Sequence, residues 1–320
     1  MKVMAEKDAG QGEFPESLAP LAQTQAVEAL SVAVVIASLG RPDLLNCMIG
    51  RMAAQTVPPK LLLFSTVSPQ DLPEDFVETD HVKAIYGLKG LTRQRNAALD
   101  HIGETCDIVL FYDDDFVPSL RAVENVARFF AAHPEVVGAT GHVLADGIKT
   151  RGIEREEARQ IVAAHDAKGA HPNEIIRECD GLYGCNMAYR TAAIRDIRFD
   201  ERLRLYGWQE DVDFAGALKC RGKIVWTHAF AGVHQGSKHG RTPGVRLGYA
   251  QIINPLYLVA KGTMPLSFAL KLMVKNFLAN HGKMVMPEPW IDRLGRAKGN
   301  WIGLLDAARG RLTPERIEEL

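Results

Sequence analysis

The sequence lacks the cysteine pattern of a zinc ribbon or of a disulfide-stabilised secreted protein. It has five cysteines in 320 residues, an odd number, and none of them forms a CxxC pair. This argues against structural zinc and against a disulfide framework. A reducing cytosol fits such cysteine usage, and we therefore expect a cytoplasmic protein.

Long apolar runs are also missing. The N-terminus has acids where a secretory signal peptide needs an apolar stretch. The most apolar later stretch, residues 252–274, is interrupted by Pro255, Lys261, Pro265 and Lys271. Because a spanning helix needs about 20 predominantly apolar residues in succession, we expect this stretch to be a poor transmembrane helix.

A large charge of one sign is absent as well, since the formal net charge is -1. Binding of nucleic acid through bulk charge is therefore not expected. The charge is unevenly distributed, however, because residues 231–300 hold ten Lys or Arg and only two acids. Such a basic segment favours phosphates, an anionic surface or nucleic acid as a partner, and of these we do not expect nucleic acid. The alternative is a solvated helical face.

The apolar and polar residues that are present predict an α/β protein. Residues 1–28 show no sustained period and are predicted to be a flexible leader, whereas short apolar runs alternate with helical patterns from residue 31 onwards. This alternation predicts right-handed crossovers and a mainly parallel sheet. Residues 150–178 read as a helical insertion over one edge. We predict strands at 32–37, 60–66, 82–86, 107–112, 136–143, 180–189 and 223–228, and helices at 44–54, 90–101, 118–132 and 207–220.

Three consecutive acids, Asp113, Asp114 and Asp115, follow the predicted strand at 107–112. In open α/β sheets, ligands bind outside the carboxyl ends of the strands. Side chains alternate along a strand, so Asp113 and Asp115 are predicted to point the same way. Two carboxylates on one face suit a hard divalent cation. Solvated acids that cap a following helix are the alternative.

Several segments of residues 31–236 occur in an order that resembles a known family. They are Val34-Val35-Ile36-Ala37-Ser38, Gly90-Leu91-Thr92-Arg93-Gln94-Arg95-Asn96, Asp113-Asp114-Asp115, Gly184-Cys185-Asn186-Met187-Ala188-Tyr189-Arg190 and Trp208-Gln209-Glu210-Asp211. Together they resemble the first nucleotide-binding strand, the donor segment, the Asp-x-Asp motif, the acceptor-side strand and the Glu-Asp motif of GT-A fold glycosyltransferases of the inverting family 2 type.

The resemblance implies a GT-A fold, which is a Rossmann-like, mainly parallel sheet flanked by helices, with a C-terminal helical extension. It divides the chain into a nucleotide-sugar-binding and catalytic domain at 29–236 and a lid with helical extension at 237–320. It implies inverting transfer from a UDP- or GDP-linked sugar to a glycan or lipid-linked acceptor in surface polysaccharide synthesis. The second strand departs from the family pattern. Where the family has acidic residues, this chain has Phe64-Ser65-Thr66-Val67-Ser68. The contact that recognises the base, and with it the identity of the nucleotide, is therefore not predicted.

The resemblance also implies residue roles. A cation on the two phosphates would stabilise the charge of the leaving nucleoside diphosphate. Its ligands would be Asp115, Asp113 and His234, with Mn²⁺ or Mg²⁺ as the ion; a hydrogen-bonded core or surface histidine is the alternative for His234. Arginines suit the diphosphate because guanidinium matches phosphate oxygens. The predicted donor contacts are Ala37, Ser38, Arg41, Arg93, Arg95, Asn96, Asp113, Asp114, Arg241 and Arg246.

The acceptor hydroxyl needs a base, and Asp211 is predicted to serve, with Glu210 beside it. Both stand at the start of a predicted helix, whose dipole keeps a carboxylate ionised; simple N-terminal helix charge is the alternative. Trp208 and Asn186 are predicted on the acceptor side. Trp208 is either a platform for a sugar ring or part of the core.

Residues 265–280 combine helical apolar spacing with two lysines one turn apart. They predict either an amphipathic helix in a membrane interface, hence a peripheral position on the inner face of the plasma membrane, or a helix packed on the domain.

A sugar nucleotidyltransferase is the alternative enzyme class, but residues 38–42 are too short for its Gly-rich loop. A non-catalytic carbohydrate-binding or scaffold protein is disfavoured by the acids at 113, 115, 210 and 211.

Overall fold

The computed structural model describes residues 30–169, 173–238 and 242–320. The predicted leader at 1–28 and Arg241 lie outside the described residues. The elements follow the predicted alternation. In chain order they are β1 (Val32–Ala37), α1 (Pro42–Ala53), β2 (Leu61–Thr66), β3 (Val82–Tyr86), α2 (Leu91–Ile102), β4 (Ile108–Asp113), β5 (Phe116–Pro118), α3 (Ala122–Ala132), β6 (Val136–Asp146), α4 (Arg155–Asp166), β7 (Ile175–Glu178), β8 (Asn186–Arg190), α5 (Thr191–Ile194), α6 (Glu210–Leu218), β9 (Lys223–His234), α7 (Gly244–Lys261), α8 (Leu266–Gly282) and α9 (Arg293–Ala308).

These strands form one nine-stranded sheet in the order β3-β2-β1-β4-β8-β6-β9-β5, with β7 also paired to β9. Strands β1, β2, β3 and β4 pair in parallel, and so do β6 and β9. Strands β8, β5 and β7 each pair antiparallel to their neighbours. Six of the nine strands therefore run in one direction, which confirms the predicted mainly parallel sheet.

The continuous apolar runs of the central strands are explained by burial on both faces of the sheet. In β1, Val34 and Ile36 join one hydrophobic cluster, whereas Ala33 and Val35 join the other. The first cluster includes apolar side chains of α1 and α3, and the second includes those of α2 and α6. Helices thus cover both faces, and the carboxyl ends of β1 and β4 reach the same edge at Ala37 and Asp113.

Three predicted boundaries are wrong by four residues or more. Pro118 does not open a helix; it ends the short strand β5, and α3 begins at Ala122. A proline is tolerated there because β5 lies at an edge of the sheet, where a missing N–H costs little. The strand predicted at 180–189 begins only at Asn186, and the last strand extends beyond its predicted end to His234.

The C-terminal helices α7, α8 and α9 pack as a helical extension, as predicted. Helices α7 and α9 approach so closely that a Cβ on Gly299 would lie 2.0 Å from the Val245 carbonyl oxygen, and one on Gly248 would lie 2.1 Å from that of Arg296. Within the described chain, none of the helices has the length and apolar character needed to cross a membrane.

Gly299→Ala should therefore destabilise the protein. The added methyl group meets backbone atoms that cannot move without separating α7 from α9, and overpacking of this kind costs about 1–3 kcal/mol. Gly50→Ala is the matched control, because Gly50 is an exposed residue of α1 with open space around its Cβ position, and this change should stabilise by about 0.5–1 kcal/mol. Denaturant unfolding of both variants checks the prediction, and equal effects would contradict it.

Candidate functional site

The side chains of the three consecutive aspartates point in different directions at the end of β4. The carboxylates of Asp113 and Asp115 both face the Nε2 atom of His234, at 3.9 Å and 3.3 Å. Asp114 turns the other way and accepts hydrogen bonds from the Ser38 hydroxyl at 2.7 Å and the Arg41 guanidinium at 2.8 Å. The alternation expected of a strand thus places two of the three acids on one face.

Sheet pairing brings His234 to these acids. Strand β5 pairs with β9 so that Phe116 lies opposite His234, and β6 pairs with β9 so that Asp146 also lies opposite it. The second ring nitrogen of His234, Nδ1, is 3.0 Å from an oxygen of Asp146. The Tyr183 hydroxyl donates to the other Asp146 oxygen at 2.8 Å. Sequence reasoning missed Asp146 and Tyr183.

The charges of this cluster are strongly coupled. Burial acts to lower the pKa of His234, but hydrogen bonds with Asp115 and Asp146 outweigh burial and raise that pKa to about 10. Burial acts to raise the pKa of Asp115, yet the contact with His234 and the amide of Ser237 keep it below its usual value. Burial raises the pKa of Asp113. The imidazole is therefore protonated at neutral pH, and a cation that binds here has to displace that proton.

The donor set fits a divalent cation. Oxygens of Asp113 and Asp115 and a nitrogen of His234 all lie within 4.8 Å of one another. An octahedral ion with bonds of about 2.1 Å holds its ligand atoms roughly 3–4 Å apart, so a small adjustment suffices. The hydrogen bond from His234 to Asp146 fixes the ring and leaves Nε2 for the ion, as second-sphere carboxylates do in metal sites. Carboxylates with one imidazole suit Mn²⁺ or Mg²⁺.

Arg95 connects this cluster to the Glu-Asp motif. Its guanidinium is buried and contacts the Glu210 carboxylate, the Asp113 carboxylate at 3.3 Å and the Gly184 carbonyl at 3.0 Å. It also lies 5.5 Å from the ring centres of Phe111 and Phe199. Protein groups thus engage the guanidinium of Arg95, which also lines the cleft described below. Its contact with a diphosphate stays a prediction.

Glu210 and Asp211 begin α6 but face different surroundings. Glu210 is buried against Arg95 and also lines the cleft, and its catalytic role stays a prediction. Asp211 accepts a hydrogen bond from the Gly184 amide at 2.9 Å and from the Val212 amide at 2.8 Å, and it lines a cleft. Burial raises the pKa of Asp211. That shift increases its affinity for a proton, a property that a general base needs.

The cleft has a volume of about 660 Å³ and includes Asp113, Asp211 and Trp208 in its walls. The Trp208 side chain also packs beside the cluster around Tyr249, so part of it belongs to the core. Its role as a platform for a sugar ring stays a prediction. Asn186 is fully buried. It lies behind the cleft wall, because a Cβ on Gly141 would be 2.5 Å from its amide nitrogen.

The predicted donor contacts separate into two groups. Ala37, Ser38, Arg41, Asp113 and Asp114 come together at the ends of β1 and β4.

The second group is engaged elsewhere. Asn96 holds Phe199 through two hydrogen bonds, and Arg93 lies 3.5 Å from Glu201. Arg246 donates to the Leu320 carbonyl oxygen at 2.7 Å. Arg246 therefore contacts the C-terminus, and its contact with a donor stays a prediction.

Comparisons with known proteins give the fold and not a family. No family model matches the chain, and no curated protein matches it. Solved structures do match, and they place the chain in the GT-A fold class.

The matching structures include Staphylococcus aureus TarS. Residues 1–349 of TarS in complex with UDP-GlcNAc match with a TM-score of 0.52 at 14% identity, covering 91% of each chain. The UDP complex of the same piece matches with a TM-score of 0.50 at 14% identity, covering 91% of this chain and 90% of that one. A longer TarS chain matches at 15% identity with a TM-score of 0.44. The match covers 80% of this chain but only 44% of that chain.

Asp146→Asn should weaken Mn²⁺ binding by about 10–100-fold, the usual effect of removing a second-sphere carboxylate. The amide keeps the shape of the side chain but not the charge that orients His234. Asp115→Ala should abolish binding, since it removes a direct ligand. Asp100→Asn, an exposed acid paired with Arg198, is the control. Titration calorimetry with Mn²⁺ measures all three, and wild-type affinity in Asp146→Asn and Asp115→Ala would refute this metal site.

Proposed function

We propose that this chain is a metal-dependent glycosyltransferase that transfers a sugar from a nucleotide-diphosphate sugar to an acceptor hydroxyl. The observation that supports this most directly is the placement of Asp113, Asp115 and His234 next to a cleft that also contains Asp211. One wall thus offers ligands for a cation, and another offers a base. The GT-A fold, shared with a protein solved with UDP-GlcNAc and with UDP, supports the same reading.

On the donor side, the strand ends supply the contacts. Asp113 and Asp115, with His234, would hold Mn²⁺ or Mg²⁺, and such an ion stabilises the negative charge of a departing diphosphate. Ser38 and Arg41 fix Asp114 beside them. We propose that the nucleotide of a UDP- or GDP-linked sugar lies against this edge of β1, near Ala37.

On the acceptor side, Asp211 takes the proton. As the acceptor oxygen attacks the anomeric carbon, the bond from that carbon to the diphosphate oxygen breaks, and the hydroxyl proton passes to the Asp211 carboxylate. Two amide hydrogen bonds hold this carboxylate in place. Glu210 positions it through Arg95, and Trp208 offers an apolar face to the incoming sugar. Attack opposite to the leaving group gives a single displacement.

The acceptor and the location complete the proposal. We propose a glycan or lipid-linked acceptor used in surface polysaccharide synthesis, with the protein cytoplasmic and peripheral on the inner face of the plasma membrane. Residues 29–236 act as the nucleotide-sugar-binding and catalytic domain, and residues 237–320 as lid and helical extension. A donor-hydrolysis screen over a panel of nucleotide sugars with Mn²⁺ tests the proposal, and no hydrolysis of any UDP- or GDP-sugar would speak against it.

Asp211→Asn should lower the transfer rate by about 10² or more, the usual scale for loss of a general base. Donor binding should stay at the wild-type level, since the change keeps size and leaves the cation ligands intact. Asp100→Asn is the control and should transfer normally. Single-turnover kinetics with the donor identified in the screen measures the rate. A near-normal rate in Asp211→Asn would exclude Asp211 as the base.

The stereochemistry gives an independent check. Because a single displacement inverts the configuration at the anomeric carbon, the product should have the anomeric configuration opposite to that of the donor. Proton NMR of the glycoside product reports the configuration through the anomeric coupling constant. A retained configuration would contradict the single displacement and the role of Asp211 together.

A further inference from the structure

The outward face of α8 is apolar. Leucine or valine recurs at every fourth position, which places these side chains in one stripe along the helix. Between 46% and 64% of each of these side chains is exposed. The stripe consists of Leu266, Leu270, Val274 and Leu278.

The apolar face continues beyond α8. Val285 and Met286, in the loop after the helix, are 90% and 85% exposed. Helix α9 adds Leu294, Trp301 and Leu305, each more than half exposed. We call this set, with the stripe of α8, the outer apolar surface.

The two helices contribute to one surface because they meet there. The ring of Trp301 packs edge-on against Phe277 of α8, with centres 5.5 Å apart, and lies 6.0 Å from His281. Single exposed apolar residues are ordinary on proteins, but a contiguous set of this kind marks an interaction site.

The charge beside the surface identifies the partner. Lys271 and Lys275 are exposed next to the stripe, one turn apart, and residues 262–287 contain no acid. The first acid beyond them, Glu288, is neutralised by Lys283 and Arg293. An apolar stripe bordered by lysines matches acyl chains beneath anionic headgroups.

We propose that the outer apolar surface binds the surface of an anionic phospholipid bilayer, with Val285, Met286 and Trp301 inserted among the acyl chains. This inference rests on the proposed function and specifies which face of the protein meets the membrane.

Docking in this way places the cleft at the headgroup level. Phe268 and Leu272 of α8 line the cleft that contains Asp211, while Leu270 and Val274 of the same helix face outward. One helix therefore separates the cleft from the bilayer. A lipid-linked acceptor can keep its lipid in the membrane while its polar head extends past α8 to Asp211, so the surface favours a lipid-linked acceptor over a soluble glycan.

Binding of the full chain to vesicles tests the proposal. At low salt, vesicles of phosphatidylglycerol and phosphatidylcholine should bind the protein, and vesicles of phosphatidylcholine alone should bind it far less. Lys271→Glu with Lys275→Glu should weaken binding by about thirtyfold or more, since each nearby cation contributes roughly a factor of five. Arg128→Glu with Lys168→Glu is the control of equal charge, because both residues are exposed outside this surface, and it should bind like the wild type.

A separate variant tests the contribution of the apolar side chains to vesicle binding. Val285→Ser with Met286→Ser should weaken binding by about tenfold or more, because burial of these two side chains is lost. Both side chains are already exposed, so the variant should keep the wild-type melting temperature. Brominated lipid should quench part of the tryptophan fluorescence, and Trp301→Phe should remove that part.

The outcomes separate this inference from the proposed function. Titration with Mn²⁺ and nucleoside diphosphates, without vesicles, tests the function and should give the same affinities for all these variants. A protein that binds nucleotide but ignores anionic vesicles overturns the inference and leaves the function standing. Vesicle binding without nucleotide binding supports the surface and overturns the function. A dimer in light scattering that Val285→Ser with Met286→Ser disrupts, without vesicle binding, would assign the surface to a second copy and also overturn the inference.

Discussion

The buried guanidinium of Arg95 is the interaction on which the candidate site depends. It joins the Asp113 carboxylate at the end of β4, the Glu210 carboxylate at the start of α6 and the Gly184 carbonyl before β8. Two carboxylates at this depth would repel one another and lose hydration without a cation between them. Because Asp211 follows Glu210 directly and is also bound by Gly184, the same contact sets the distance between the cation ligands and the proposed base.

The parallel half of the fold could be predicted from local pattern alone. Strands such as β1 and β4 are continuous apolar runs because both their faces are buried, and the acids follow where β4 leaves the core. The strands that follow α3 were predicted in part, but their full extent and their pairing could not be predicted in the same way. The extension of β9 to His234 depends on pairing with β5 and β6, and that pairing also brings in Asp146. Such contacts between distant segments leave no periodic signal along the chain.

Residue type alone did not show which partner a polar side chain would take. Arg95, Asn96 and Arg246 have the chemistry of phosphate or ribose contacts, yet the protein satisfies them internally: Arg95 with carboxylates, Asn96 with the Phe199 backbone, and Arg246 with the Leu320 carbonyl. A buried polar group needs a partner wherever it lies, so the motif pattern identifies the neighbourhood of the site. The burial of each polar side chain and its protein partners then determine how accessible that side chain is to a ligand.

The divergence of the three aspartates has an electrostatic consequence for the proposed function. Asp113, Asp115 and Asp146 surround one imidazolium, so the cluster is negative even with His234 protonated. A diphosphate is repelled by such a cluster. When a divalent ion displaces the proton, it adds one positive charge to the cluster and offers the diphosphate a direct ligand. Under the proposed function, binding of the donor would therefore be coupled to binding of the ion. Asp114, already paired with Arg41, would add little to the repulsion.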